Sequence, residues 1–249
     1  MFWNKLKRLV LAEKSNGEAA SRAIRYTVAR RDGFGAQYQA MMSGIAYAHF
    51  MNYQYVHTPF RFLDHNANVR LMNRFIGIPV SREKADIREE GSAVVNSSDT
   101  PDQYYTDEVM AKIRGWYYAT EKPTVDPEQI AIHIRRGDAA RQNLTFRLTS
   151  NAFYRRLISE LELEYPGLRV RIHSEGEPAD FSDLESENVD LALNEDLRVT
   201  FHSLVRAKVL VTAKSSLSYA AALLNENTVY YIPFWHKPLR GWKICEEKE

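Results

Sequence analysis

Cysteine is almost missing: Cys245 stands alone in 249 residues. No internal disulfide is possible, and a reducing compartment is the simpler inference. A surplus of charge is missing too. The 33 basic and 32 acidic residues leave a formal net charge of +1, which argues against nucleic-acid binding by bulk charge. If this chain handles phosphate, it does so by local placement. No run approaches the roughly 20 apolar residues a membrane-spanning helix needs, and the first residues do not read as a signal peptide, so the expected location is cytoplasmic. No His/Cys/Asp cluster has metal-ligand spacing, and no G-x-x-x-x-G-K marks a nucleotide hydrolase. No resident metal or cofactor is expected.

What is present begins with a basic, aromatic opening, Met1 to Leu11, where Trp3, Leu6 and Val10 fall at helical spacing. Two readings stay open. The segment docks as a helix on its own domain, the commoner fate, or it lies on an anionic membrane surface as a peripheral contact.

The stretch that organises the chain is Gln129 to Asp138, where Ile130, Ile132 and Ile134 read as a buried strand that breaks into Arg135, Arg136, Gly137 and Asp138. The C-terminal ends of such strands are where α/β sheets build sites. An arginine there offers phosphate a planar fork of donors and a charge that persists at any physiological pH. Gly137 permits a sharp turn, and Asp138 is placed to pair with a guanidinium. The plain alternative is a solvated turn after a strand. Because successive strand residues project to opposite faces, Arg135 and Arg136 are expected to divide, one toward a ligand and one toward structure.

Upstream, Ile24 to Ala29 alternates like a strand, runs into the turn Arg30 to Gln37 with Gly33 and Gly35, and leads to a helix from Gln37 to Phe50. Strand, glycine turn and helix present backbone N–H groups to an anion, or simply make a tight connection. The third glycine of a dinucleotide fingerprint is absent, so no NAD site is expected. Tyr53 to His57 reads as a second strand, Val69 to Ile76 as a helix, residues 81 to 107 as an irregular surface region and Val109 to Tyr118 as a helix. The two prolines of Glu121 to Pro127 mark a boundary, dividing an N-terminal domain, 1–125, from a C-terminal one, 126–249.

Beyond it, strands at Gln129, Leu168 to His173, Val189 to Leu193, Val209 to Ala213 and Thr228 to Ile232 are expected to alternate with helices, which implies a doubly wound parallel sheet. In such a sheet the first and fourth strands commonly flank the point where ligands sit. Here the first ends in Arg135 and the fourth in Lys214, Ser215 and Ser216, a phosphate-compatible convergence, although the serines also suit an ordinary helix cap. Trp235, His236 and Trp242 suit either a sugar-stacking surface or packing of the last strand, and packing is the simpler reading.

His133 to Asp138 resembles the H-x-R-x-G-D element of the fucosyltransferase superfamily, which includes the α1,2-, α1,6- and protein O-fucosyltransferases. Gly33 to Gln37 is similar to that superfamily's G-x-G-N-Q element, and Phe201 to Leu224 to its third conserved stretch. The resemblance implies a GT-B fold with two Rossmann-like domains facing a cleft, the N-terminal one on the acceptor side. It also implies a GDP-fucose donor, a glycan acceptor, inversion and no metal. By the same resemblance Arg135 contacts the donor diphosphate, His133 lies at that site, and Ser215 and Ser216 meet donor phosphates, where the strand-end reading also puts Lys214 and the Gly33–Gly35 turn. Ala36 replaces the usual asparagine, and Thr200 stands where the α1,6 branch has a guanine-reading aspartate, so another nucleotide sugar or a non-catalytic nucleotide- or glycan-binding module stays open. Fucose leaves with oxocarbenium character, which relaxes the demand for a strong base. Asp32 is the better base candidate, because Asp138 fits an arginine partner.

Overall fold

A computed structural model describes residues 23–64, 67–89, 97–137 and 144–246. The opening Met1 to Leu11 segment and Asp138 lie outside them.

The N-terminal half builds a small parallel sheet of order β2-β1-β3 from β1 (Arg25–Val28), β2 (Gln54–Tyr55) and β3 (Ile87–Glu89). Between β1 and β2 runs α1 (Phe34–Phe50), and α2 (Val69–Ile76), α3 (Pro101–Tyr104) and α4 (Asp107–Tyr118) complete this half. The C-terminal half is a six-stranded, all-parallel sheet of order β6-β5-β4-β7-β8-β9. Its strands are β4 (Gln129–His133), β5 (Arg169–Ser174), β6 (Val189–Leu193), β7 (Val209–Val211), β8 (Thr228–Tyr231) and β9 (Lys243–Ile244). Its helices are α5 (Asn151–Glu164), α6 (Leu197–Arg206) and α7 (Ser216–Leu224). This is the doubly wound order, with the switch between β4 and β7. The expected α/β class with parallel sheets is the one observed, and the large sheet is doubly wound.

Side-chain alternation explains why both faces of the large sheet are covered. Ile130, Ile132, Val209 and Val211 point into a cluster with Phe153, Leu157 and Leu161 of α5. Their neighbours Ala131 and Leu210 point the other way, into a cluster with Phe201 and Leu204 of α6 and Leu223 of α7. That second cluster continues into Tyr38, Met42, Phe75 and Tyr117 of the N-terminal helices. The chain between α4 and β4 is itself tied down. Lys122 donates to Phe75 O at 3.0 Å and lies over the Tyr117 ring, and Pro127 O accepts from Lys208 N at 2.9 Å.

Several elements differ from expectation. The irregular region 81 to 107 contains β3 and α3. Between β5 and β6 there is no α-helix but a 3₁₀ segment, Pro178–Leu184, which opens on a proline and caps itself through Glu177 and Asp180. Helix α1 begins at Phe34, earlier than expected, because Gly33 already serves as its extended N-cap. β9, too short to show a period, was not anticipated.

Candidate functional site

A cleft of about 820 Å³ opens at the C-terminal edge of the large sheet, between it and the start of α1. Asp32, Gly33, Gly35, His133, Arg135, Lys214, Ser215 and Ser216, all singled out in the sequence, line this one cleft.

The floor is set by strand ends. Ser174 Oγ donates to Ile134 O at 2.8 Å, fastening the end of β5 to that of β4. Gly137 sits at φ +55°, and a side chain there would collide with the Glu175 carboxylate. Glycine therefore suits the turn that carries Arg135 and Arg136 off the strand. Both arginines line the cleft, and they differ in their partners. Arg136 is committed to structure: Nη2 donates to Thr149 O at 3.0 Å and Asn151 Oδ1 at 2.6 Å, and Nη1 to Arg135 O at 2.9 Å. Arg135 remains on the cleft wall.

His133 is 5% exposed, and its Nδ1 is buried without a hydrogen-bond partner among the described residues. Burial, then the nearby Arg135 and His173, push its pKa down to about 3. It is a neutral imidazole under the cation, able to offer a hydrogen bond without adding charge. His173 beside it shares a hydrogen bond of 2.9 Å between Nε2 and Ser203 Oγ, while its Nδ1 lies 3.3 Å from Glu195 Oε2. His173 and then Arg171 hold Glu195 below the usual carboxylate range.

Two helix N-termini converge on the cleft. Ser215 is the N-cap of α7, its Oγ accepting from Leu217 N at 3.2 Å, and Ser218 Oγ accepts from Ala213 N at 3.0 Å to hold the preceding loop. Ser216 is the first residue of the helix and also lines the cleft. Opposite, α1 starts at Gly33 with no side-chain cap of its own. Gly35 explains how close the two starts come: a Cβ there would lie 2.5 Å from both Leu217 Cα and Leu217 N. First-turn N–H groups and the positive ends of two helix dipoles thus share one space, which suits an anion.

Asp32 is placed at the α1 start, but its carboxylate is occupied. Oδ2 accepts from Arg30 Nη2 at 2.6 Å and Oδ1 from Gly33 N at 2.8 Å. Its geometry is that of a helix-entry anchor. Of the aromatic candidates, Trp242 packs on Tyr219 and Tyr231, as the simpler reading expects. His236 is buried, with Nε2 sharing a 2.8 Å hydrogen bond with Gln39 Nε2 and Nδ1 a 2.5 Å bond with Ser98 Oγ. Burial, then Arg30, push its pKa down to about 4. Trp235 instead is 54% exposed on the cleft rim. Thr200 and Ala36 also line the wall.

No protein-family model matches the chain, and no curated protein does. Among solved structures it aligns with the E. coli heptosyltransferase WaaC with ADP at 12% identity, over 90% of this chain and 91% of that one, with a TM-score of 0.46. It aligns with POFUT1 in complex with GDP at 11% identity, over 85% and 99%, TM-score 0.47. A third alignment is with the fucosyltransferase NodZ from Bradyrhizobium at 12% identity, over 82% and 94%, TM-score 0.44.

Sequence reasoning missed Arg147, Ser98 and the His173–Glu195–Arg171 group. Arg171 and His173 lie on one alternating strand, and Glu195 falls just before the Asp196 helix cap, so the signal was only that two strand ends carry charge. Arg147 sits in a polar loop with no period, where no local signal exists. Among the described residues, no helix is long and apolar enough to cross a membrane, and no group of three His, Cys, Asp or Glu side chains is arranged to hold a metal ion.

Proposed function

We propose that this protein is a glycosyltransferase that inverts configuration as it moves a sugar from a nucleoside-diphosphate donor to a glycan hydroxyl, with fucose from GDP-fucose as the leading donor. One observation carries the reading: Arg135, Lys214, Ser215, Ser216 and two helix N-termini meet at the β4/β7 switch of a doubly wound sheet, in a single cleft.

The chemistry asks the protein to stabilise a departing diphosphate. As the acceptor oxygen bonds to the anomeric carbon, the bond from that carbon to the phosphate oxygen breaks and its electron pair leaves with the diphosphate. Donors fixed in advance at that position act without reorganising, which is where enzymes gain most. Arg135 supplies a forked cation, the α7 start supplies backbone N–H groups, and neutral His133 adds no competing charge. The acceptor hydroxyl loses its proton late, to water or to the departing phosphate, so a strong base is dispensable. That suits an Asp32 whose oxygens are already engaged. The charge work falls to side chains and helix ends, and we propose that no resident metal or cofactor takes part.

A second reading, another nucleotide sugar, is favoured by Thr200 and Ala36 on the cleft wall. One thermal-shift series tests both. GDP is expected to stabilise the protein in EDTA by about 2.7 kcal/mol at a hundredfold excess over Kd, and GMP much less. UDP or ADP outperforming GDP would move the donor. GMP matching GDP, or EDTA abolishing the shift, would end the diphosphate-site reading.

A further inference from the structure

Three of the six arginine and lysine side chains that line the cleft have a visible occupation. Arg30 pairs with Asp32 and Arg198 with Asp196, and Arg136 is held by carbonyl and amide oxygens. Arg147 is different. Its guanidinium lies 4.9 Å from the Trp235 ring centre, 5.5 Å from that of Phe146 and 5.9 Å from that of Phe234. Among the described residues no acidic side chain pairs with it, and its Nε is buried with no hydrogen-bond partner. The rings are themselves organised, Phe234 stacking on Trp235 at 4.2 Å. Aromatic faces fix a guanidinium in position and do not neutralise it. A buried guanidinium N–H without an acceptor is costly unless a ligand supplies one.

Topology says where this cation stands. Arg147 belongs to the 3₁₀ turn Thr145–Arg147 that follows β4, whereas Phe234 and Trp235 follow β8. β7 lies between β4 and β8 in the sheet. The aromatic contact joins the segment that follows β4 to the one that follows β8, and Lys214, Ser215 and Ser216 follow the strand between those two and open α7. Arg147 lines the same cleft as those residues.

We infer that Arg147 is a further anion-binding residue of this cleft, held by an aromatic cage to take a phosphoryl group at the rim. The inference rests on the nucleotide-sugar reading for its occupant, and two sources share the chemistry: the distal phosphate of the donor, or a phosphate carried by the acceptor.

The experiment measures Kd for GDP, GMP, inorganic pyrophosphate and glucose 6-phosphate with the full chain and with Arg147→Gln, alongside the unliganded melting temperature. Expected is a roughly 10- to 100-fold weakening of GDP and pyrophosphate with GMP unchanged, the worth of one charge-assisted hydrogen bond. Weakening confined to glucose 6-phosphate assigns Arg147 to a phosphorylated acceptor. If the chain binds pyrophosphate but no nucleotide, the nucleotide-sugar reading falls while Arg147→Gln against pyrophosphate still decides the inference. Should Arg147→Gln not fold, Arg147→Lys, which keeps the charge and loses the fork, is expected to weaken the same ligands several-fold. Unchanged affinity for all four ligands, a melting shift with no change in affinity, or a chain that binds none of the four would overturn the assignment.

Discussion

The two walls of the cleft are built on different principles. On the C-terminal side the wall is a row of strand ends, each strand locked to parallel neighbours and covered on both faces, so that Arg135 and Ser215 inherit their positions from a six-stranded sheet. On the N-terminal side the sheet is only three short strands, and the wall is the start of one helix. Helix α1 buries 14 of its 17 residues, which an amphipathic surface helix cannot do. Tyr38, Met42 and Ile45 join the core shared with α7, while Ala40, Tyr47 and Ala48 face β1. One wall is placed by hydrogen-bonded register, the other by side-chain volume. The first tolerates changes that spare the ladder, and the second is sensitive to a single methyl group.

Acid should break both walls together, and this is the largest effect expected. Burial first of all pushes His57, His202 and His236 down to about 4 and His133 to about 3, from 6.5. The folded state keeps these rings neutral while the unfolded chain binds their protons below about pH 6.5. Stability from this source is therefore complete above 6.5 and is lost as pH falls toward 4. Well below pH 6.5 each ring withdraws about 1.4 kcal/mol per pH unit, so four together withdraw roughly 6 kcal/mol per unit, against a total of about 5–15 kcal/mol. Urea midpoints should drop steeply between pH 6.5 and 5. A flat profile would mean these rings are not buried neutral, and loss of one sheet's amide protection before the other's would show that the walls are not one cooperative unit.

Arg135→Lys should separate function from placement on the strand-end wall. The lysine keeps the charge and loses the fork, and under the proposed reaction it removes a preorganised donor worth about 2–4 kcal/mol of activation. Turnover should fall accordingly while the melting temperature holds. Arg136→Lys should instead lower the melting temperature, because it breaks the bonds to Thr149 and Asn151. Equal small losses of rate in both variants would remove Arg135 from the mechanism.

The same contrast decides what was legible in the sequence. Strand ends are written in period-two runs, so β4, β5 and β7 and the switch point could be read from Ile130, Ile132 and Ile134 and their counterparts. Volume packing leaves no such period. Gly35 was visible as a turn glycine, but nothing local said that its missing Cβ admits Leu217, a residue far away in the chain. Asp32, near the motif and acidic, drew the role of base, and only the structure shows Arg30 and Gly33 holding both of its oxygens. The cage around Arg147 joins two loops across β7, a relation that exists only once the strand order is known.

The helix wall can be sharpened with two glycines in the same half of the molecule. At Gly35 an added Cβ meets backbone, Leu217 Cα and N at 2.5 Å, whereas at Gly115 in α4 nothing lies within 4 Å. Both are helical, so alanine brings the same propensity gain to each, about 0.5–1 kcal/mol. At Gly115 that gain should appear undiluted as a small stabilisation. At Gly35 it should be overwhelmed, because backbone atoms cannot rotate aside and overpacking costs about 1–3 kcal/mol or more. The two variants should therefore move the urea midpoint in opposite directions, by a smaller margin than acid or than the rate loss at Arg135. Because the displaced atoms are the first turn of α7, Gly35→Ala should also weaken GDP binding while Gly115→Ala leaves it alone. If Gly35→Ala is neutral in both measurements, the two helix starts stand further apart than this packing requires, and the anion site cannot depend on their convergence.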